Sequence, residues 1–190
     1  MSMPVLLRRL HEVSTALTVA GFDHAVGGAL ALAVHAEPRF TADIDLNVIA
    51  DADHPEPLLA ALPSDLEPLP EAADQLRATG QVRFHWADPN TPLDLFLPQH
   101  PTFHAQVAKR AVPYRFADGV TVKVITATDL LIFKTLFGRS KDFVDIETLG
   151  EHGAGDLDEA RSWVQEILGD GSAAERRLVE AWTQGQGSQA

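Results

Sequence analysis

The sequence contains no cysteine. That absence excludes a disulfide-framed secreted scaffold, a thiol nucleophile, thiolate zinc and iron–sulfur clusters, and makes a reducing cytosol the expected compartment. Long apolar runs are missing too: the longest, residues 25–34, holds two glycines and stops at His35, far short of the roughly 20 residues that span a bilayer. The N-terminal stretch Met1-Ser-Met-Pro-Val-Leu-Leu-Arg-Arg9 places its charges after a short apolar patch and has no signal-peptide core. Basic residues are few, 15 Lys and Arg against 27 Asp and Glu, for a net charge of −12. A nonspecific nucleic-acid coat and a membrane-surface binder both need a positive field, so neither fits. The expectation is a soluble cytoplasmic protein with no membrane partner.

What is present reads as one globular chain. Its 190 residues correspond to about one domain, long enough to bury a core without a staple. A hydrophobic fraction of 45% with 22% charged residues is that of an ordinary folded protein.

Helical and strand periodicities alternate along the first two-thirds. Leu6, Leu10, Val13 and Leu17 fall at helical spacing within residues 5–20, ending at Gly21. Residues 22–26 make a short strand that runs into Gly27-Gly28, and residues 29–36 read as helix, stopped by Pro38. Residues 42–49 alternate strictly, with Asp43, Asp45 and Asn47 on one face and Ile44, Leu46 and Val48 on the other. A short helix at 55–62 and an acidic, proline-bearing loop to Asp74 follow. Strands are expected at 81–86, 93–97, 112–116 and 120–125, the last two joined by a hairpin across Ala117-Asp118-Gly119. From Thr126 on, the patterns are helical at 128–137, 141–149, 156–168 and 173–182. The expected fold class is α/β (α+β), a mixed sheet flanked by helices with a helical C-terminal part. The expected division is a core at 1–125, helices packed on it at 126–184, and a disordered tail at 185–190.

Chemistry concentrates in two places. Carboxylates at i and i+2 on a strand, Asp43 and Asp45, project from one face, which is unfavourable for like charges unless a cation lies between them; the alternative is that they are the solvent side of an edge strand. Mg²⁺ binds through one or two carboxylates plus substrate phosphate oxygens, which suits the pair. Asp94 sits in the apolar strand Leu93-Asp-Leu-Phe-Leu97, where an acid needs a partner. If that strand lies beside the first, three carboxylates converge as metal-assisted phosphoryl chemistry requires; the alternative is a salt bridge to an arginine such as Arg83. The strand–Gly27-Gly28–helix junction offers backbone N–H groups to phosphate oxygens. Thr126 and Asp129 form a plausible helix cap. Lys134 is the lone charge on the apolar helix that follows, and either snorkels to solvent or meets an anion such as a triphosphate. Asp142 lies in the first turn of the next helix, where the macrodipole favours a carboxylate in any case. Arg39 and Thr41 either touch the nucleotide or only fix the loop into the strand. His100 and His104 have metal-pair spacing, but Pro101 between them marks a helix start.

These motifs together resemble the nucleotidyltransferase-fold superfamily, in particular its AbiEii/MenT-like branch of toxins from toxin–antitoxin pairs. The resemblance rests on Gly27-Gly28, on Arg39-Phe-Thr41-Ala-Asp43-Ile-Asp45, on Asp94, and on Asp129-Leu-Leu-Ile-Phe-Lys134 followed by Arg139-Ser-Lys141-Asp142-Phe-Val-Asp145. It covers about residues 20–149. It implies Mg²⁺-dependent transfer of a nucleoside monophosphate from an NTP, ATP among them, to an acceptor hydroxyl. In that scheme Asp43, Asp45 and Asp94 hold metal, and Asp94 alternatively deprotonates the acceptor. Gly27, Gly28, Arg39, Thr41 and Lys134 bind nucleotide, and Lys134 and Asp142 serve catalysis. It further implies an RNA acceptor such as a tRNA 3′ end and a cognate antitoxin protein. A small-molecule nucleotidyltransferase of the antibiotic-modifying kind, and a catalytically inactive nucleotide-binding or antitoxin-like module, are the competing readings.

Charge is unevenly distributed. Residues 109–141 carry seven bases and two acids, whereas residues 37–74 carry ten acids against Arg39. The choice is between ordinary solvated faces and a basic wall suited to RNA or a triphosphate.

Overall fold

A computed structural model describes residues 3–87, 90–116 and 119–187. The elements in chain order are α1 (Val5–Val19), β1 (His24–Val26), α2 (Gly28–His35), β2 (Ile44–Val48), α3 (Glu56–Ala61), α4 (Ala72–Thr79), β3 (Gln81–Ala87), β4 (Asn90–Phe96), α5 (Pro101–Arg110), β5 (Val112–Arg115), β6 (Thr121–Val124), α6 (Ala127–Phe137), α7 (Ser140–Glu151), α8 (Leu157–Leu168) and α9 (Ala173–Gly187). The fold is the expected mixed α/β arrangement. Two compact units are present, one of residues 1–28 and 40–124, the other of residues 29–39 and 125–190. Residues 29–39, which the sequence assigned to the core, thus group with the C-terminal helices.

The first unit is built on a mixed sheet ordered β3-β4-β2-β1-β6-β5 among the described residues. β2 runs parallel to β4 and antiparallel to β1, and β1 is parallel to β6. The outer pairs β3/β4 and β5/β6 are antiparallel. Strand alternation determines the faces: Ile44, Leu46 and Val48 are buried with Val82, Phe84, Trp86, Leu93 and Leu95. α1 contacts β1, β6 and α3, and α4 contacts β3. Arg9 of α1 stacks its guanidinium 5.0 Å from the Trp86 ring and pairs with Asp65, while Trp86 Nε1 donates to Asp65 at 2.9 Å. The loop before α4 is tied down in this way.

Two details differ from the sequence reading, and one expected turn cannot be compared with it. The acidic loop ends in a helix, α4, which buries only Ala72 and Leu76 and closes on Gly80 at φ 65°. That is a hydrophobic signal too sparse to register as periodic. Residues 117 and 118 of the expected hairpin turn lie outside the described residues. α9 runs through Gly187 rather than ending near Gln184, and residues 188–190 are not described. The extension has a packing cause, since a Cβ on Gly185 would come 1.9 Å from the Glu147 carbonyl oxygen, and one on Gly150 2.5 Å from that of Trp182. α7 and α9 approach too closely for any side chain at these two points.

The second unit packs α6 against α7, α8 and α9, burying Leu130, Leu131, Ile132, Ile146, Leu149, Val164 and Leu178. Its helix ends follow capping rules. Thr126 Oγ1 accepts from Asp129 N at 3.1 Å, Asp156 accepts from Glu159 N at 2.9 Å, and Gly138 ends α6 at φ 64°. No helix among the described residues is long and apolar enough to cross a membrane.

Candidate active site

β2 is an interior strand, so Asp45 is not the solvent side of a sheet edge. Asp43 stands just ahead of it, where Thr41 Oγ1 accepts the Asp43 N–H at 3.2 Å and fixes the chain's entry into the strand. The loop-fixing role of Thr41 is therefore realised. Asp45 lies against the β1–α2 junction. Gly27 N donates to the Asp45 carbonyl at 2.9 Å, so this N–H is committed within the protein and Gly27 does not offer it to a phosphate. Gly28 opens α2 at φ 56°, and a Cβ there would fall 1.8 Å from Asp45 Oδ2. Glycine is thus required twice over, for the left-handed backbone and for the carboxylate packed against it.

The register places the third acid where the sequence suggested. Asp45 is opposite Asp94 across the parallel β2/β4 pair, and Asp94 is opposite Arg83 across β4/β3. Asp94 is not presented as an open ligand, however. Arg83 Nε donates to Asp94 Oδ1 at 2.7 Å and Nη2 to Oδ2 at 2.6 Å, with a longer 3.4 Å contact from Nη2 to Asp43 Oδ2. These hydrogen bonds to Asp94 hold the guanidinium above its ordinary pKa against the cost of burial, with Asp43 and Asp45 adding to the effect. The register brings Asp94 beside Asp45 as expected, and its pairing with Arg83 is the salt bridge that the sequence offered as the alternative to metal ligation. Among the described residues no group of three or more histidine and acidic side chains is arranged to hold a metal ion.

Asp43 and Asp45 remain a fitting donor set for Mg²⁺. They are hard oxygen donors on one side of the strand, and a guanidinium already stands in as a cation beside them.

The second unit holds the other sequence-predicted residues. Lys134 is 3% exposed and its Nζ pairs with Asp142 at 3.0 Å and Asp145 at 2.6 Å. It neither snorkels nor faces solvent, and its anions are the chain's own. Arg39 grips Asp145 through Nε at 2.7 Å and Nη2 at 3.0 Å. Arg139 holds Asp142 through Nε at 2.7 Å, and its backbone N–H donates to the same carboxylate at 3.1 Å. Burial opposes ionisation of Asp142, but Arg139 and Lys134 outweigh it and hold the carboxyl below the ordinary range. Asp145 is likewise buried and is held down by Arg39 and Lys134. The resemblance placed Asp142 and Asp145 in one box and left open which is the functional acid; in the structure both pair with Lys134.

Two further expectations resolve simply. His100 caps α5 by accepting from Phe103 N at 3.3 Å and His104 Nδ1 bonds the His100 carbonyl at 2.9 Å, so the pair serves the helix start. In the basic stretch, Lys123 pairs with Asp23 at 2.6 Å, while Lys134 and Arg139 belong to the buried cluster.

No protein-family model matches the chain, and no curated protein matches it. Among solved structures it is similar to an antigenic nucleotidyltransferase-like protein from Paracoccidioides brasiliensis, with a TM-score of 0.53 and 22% identity over 90% of this chain and 92% of that one. It also aligns with JHP933 from Helicobacter pylori, at TM-score 0.46 and 13% identity over 97% and 92% of the two chains. The first likeness is one of fold: the mixed sheet and its flanking helices are those of a nucleotidyltransferase-like protein.

Proposed function

We propose that the chain is a nucleotidyltransferase that moves a nucleoside monophosphate from an NTP to an acceptor hydroxyl with release of pyrophosphate. The observation that carries this reading is Asp45 on an interior strand, packed against the Gly28 turn, with Asp43 just ahead of that strand, in a fold of nucleotidyltransferase type. Asp43 and Asp45 would hold Mg²⁺, which supplies charge neutralisation at the phosphates and at the leaving group. The protein's own part is positioning. The Gly28 N–H, at the start of α2, would donate toward a phosphate oxygen, and the absence of a side chain at Gly28 makes room for the Asp45 carboxylate. Asp94 fixes Arg83, whose half-exposed guanidinium adds a permanent positive charge on the same face of the sheet.

The acceptor in this proposal is an RNA end, of which a tRNA 3′ end is the first to test, and the biological role is that of a toxin restrained by a partner antitoxin. The order of motifs from Gly27 to Asp145 supports that reading. Incubation of the protein with Mg²⁺, each α-labelled NTP in turn and total RNA tests it. Label in tRNA that disappears in Asp43→Ala is the expected result. Label moving only to a small-molecule acceptor would replace the RNA reading with the antibiotic-modifying one, and label moving nowhere would leave only a binding module.

A further inference from the structure

Arg83 was not sought as a functional residue, yet its placement is specific. It stands on β3 directly across from Asp94, which stands directly across from Asp45 on β2. The three side chains therefore form a row across adjacent strands on one face of the sheet, with Asp43 at its end. The guanidinium engages both oxygens of Asp94 and reaches Asp43, which is the position a cation shared between Asp43 and Asp94 would take. A planar, permanently charged fork suits a carboxylate in this geometry better than a hydrated ammonium does.

We infer that Arg83 is a built-in cation that takes the place of a metal ion at the Asp94 corner of the site, making this a centre for one divalent ion and one guanidinium. The inference rests on the reading that Asp43 and Asp45 carry a divalent ion. With Arg83 in place, both Asp94 oxygens are occupied by its guanidinium; without it, they become available to a cation beside Asp43. The half-exposed side chain is a fixed positive group for anionic substrate, and Asp94 positions it. Asp94 is accordingly a positioning residue and not a ligand, and neither an acceptor base nor a second metal is assigned to it.

The test counts bound Mn²⁺ by electron paramagnetic resonance of the free ion, using the full chain and no nucleotide. Arg83→Ala is expected to bind one more Mn²⁺ than the native protein, and Arg83→Ala/Asp94→Asn to return to the native number. Arg83→Lys, which keeps the charge, is expected to keep the native number as well. Equal counts for the native protein and Arg83→Ala overturn the inference. If Arg83→Ala fails to fold by circular dichroism, Asp94→Asn alone decides: an unchanged Mn²⁺ count supports the inference and a lost ion overturns it. A native protein that labels no acceptor while Arg83→Ala gains Mn²⁺ removes the transferase reading and leaves the Arg83 assignment standing. The reverse pattern removes only the assignment.

Discussion

Two ionic clusters use the same side-chain chemistry in opposite ways. Around Lys134, three bases and two acids close on one another with Lys134, Asp142 and Asp145 almost wholly buried. Around Arg83, one base faces three acids, and the guanidinium remains half exposed. In the first cluster every carboxylate oxygen has a nearby donor from the protein, as burial demands. In the second, the Arg83 and Asp43 side chains stay within reach of solvent. The comparison teaches that charged residues equally suggestive as sequence can have different destinations: Lys134 is consumed by the fold, whereas Asp43 and Arg83 stay partly open to solvent.

The contrast can be broken most forcefully at Lys134. Lys134→Met leaves two buried carboxylates short of their shared cation, and removing one partner of such a group typically costs about 3–5 kcal/mol. Chemical denaturation should show a loss of that size; a loss below about 1 kcal/mol would mean the cluster is not closed as described. Acid should act on the same cluster. Asp142 and Asp145 have folded pKa values below their unfolded value of about 3.9. Their contribution is therefore complete above that value and is lost as pH falls through the lower folded pKa. Thermal melts should be insensitive to these groups from neutrality down to about pH 5 and drop below about pH 4. Asp145→Asn should flatten that acid limb.

Smaller effects are expected in the sheet. Gly28→Ser puts a side chain at φ 56° and onto the Asp45 carboxylate; a strained backbone position costs of order 1–3 kcal/mol. Transfer activity should fall more than stability does, because Asp45 must move. Arg83→Ala should change stability least, by under about 1 kcal/mol, as expected for a half-exposed ion pair. A loss near that of Lys134→Met would erase the distinction between the two clusters.

Much of the fold was legible because periodicity reports burial. The alternation of residues 42–49 and the apolar run after Thr126 map onto β2 and α6 within a few residues. What stayed hidden was long-range partnership. Arg83 was named as a possible partner of Asp94, but only strand register sets the two face to face, and nothing local says that Arg39 and Lys134 share Asp145. Gly27-Gly28 was recognisable as a turn, but only the geometry separates the two: Gly27 N–H is spent on Asp45, while Gly28 makes room for that carboxylate. The continuation of α9 to Gly187 was concealed for the same reason, because Gly185 reads as flexible tail until Glu147 of α7 is seen against it.

The central claim is that Asp43 and Asp45, and not the buried Lys134 cluster, are the groups that act on the nucleotide. Transfer of label from an α-labelled NTP to RNA in Mg²⁺, compared between the native chain and Asp45→Asn, tests it most directly, with a thermal melt of both. The account predicts that Asp45→Asn loses transfer by at least about 100-fold while its melting temperature stays close to native. Undiminished transfer by Asp45→Asn would contradict it.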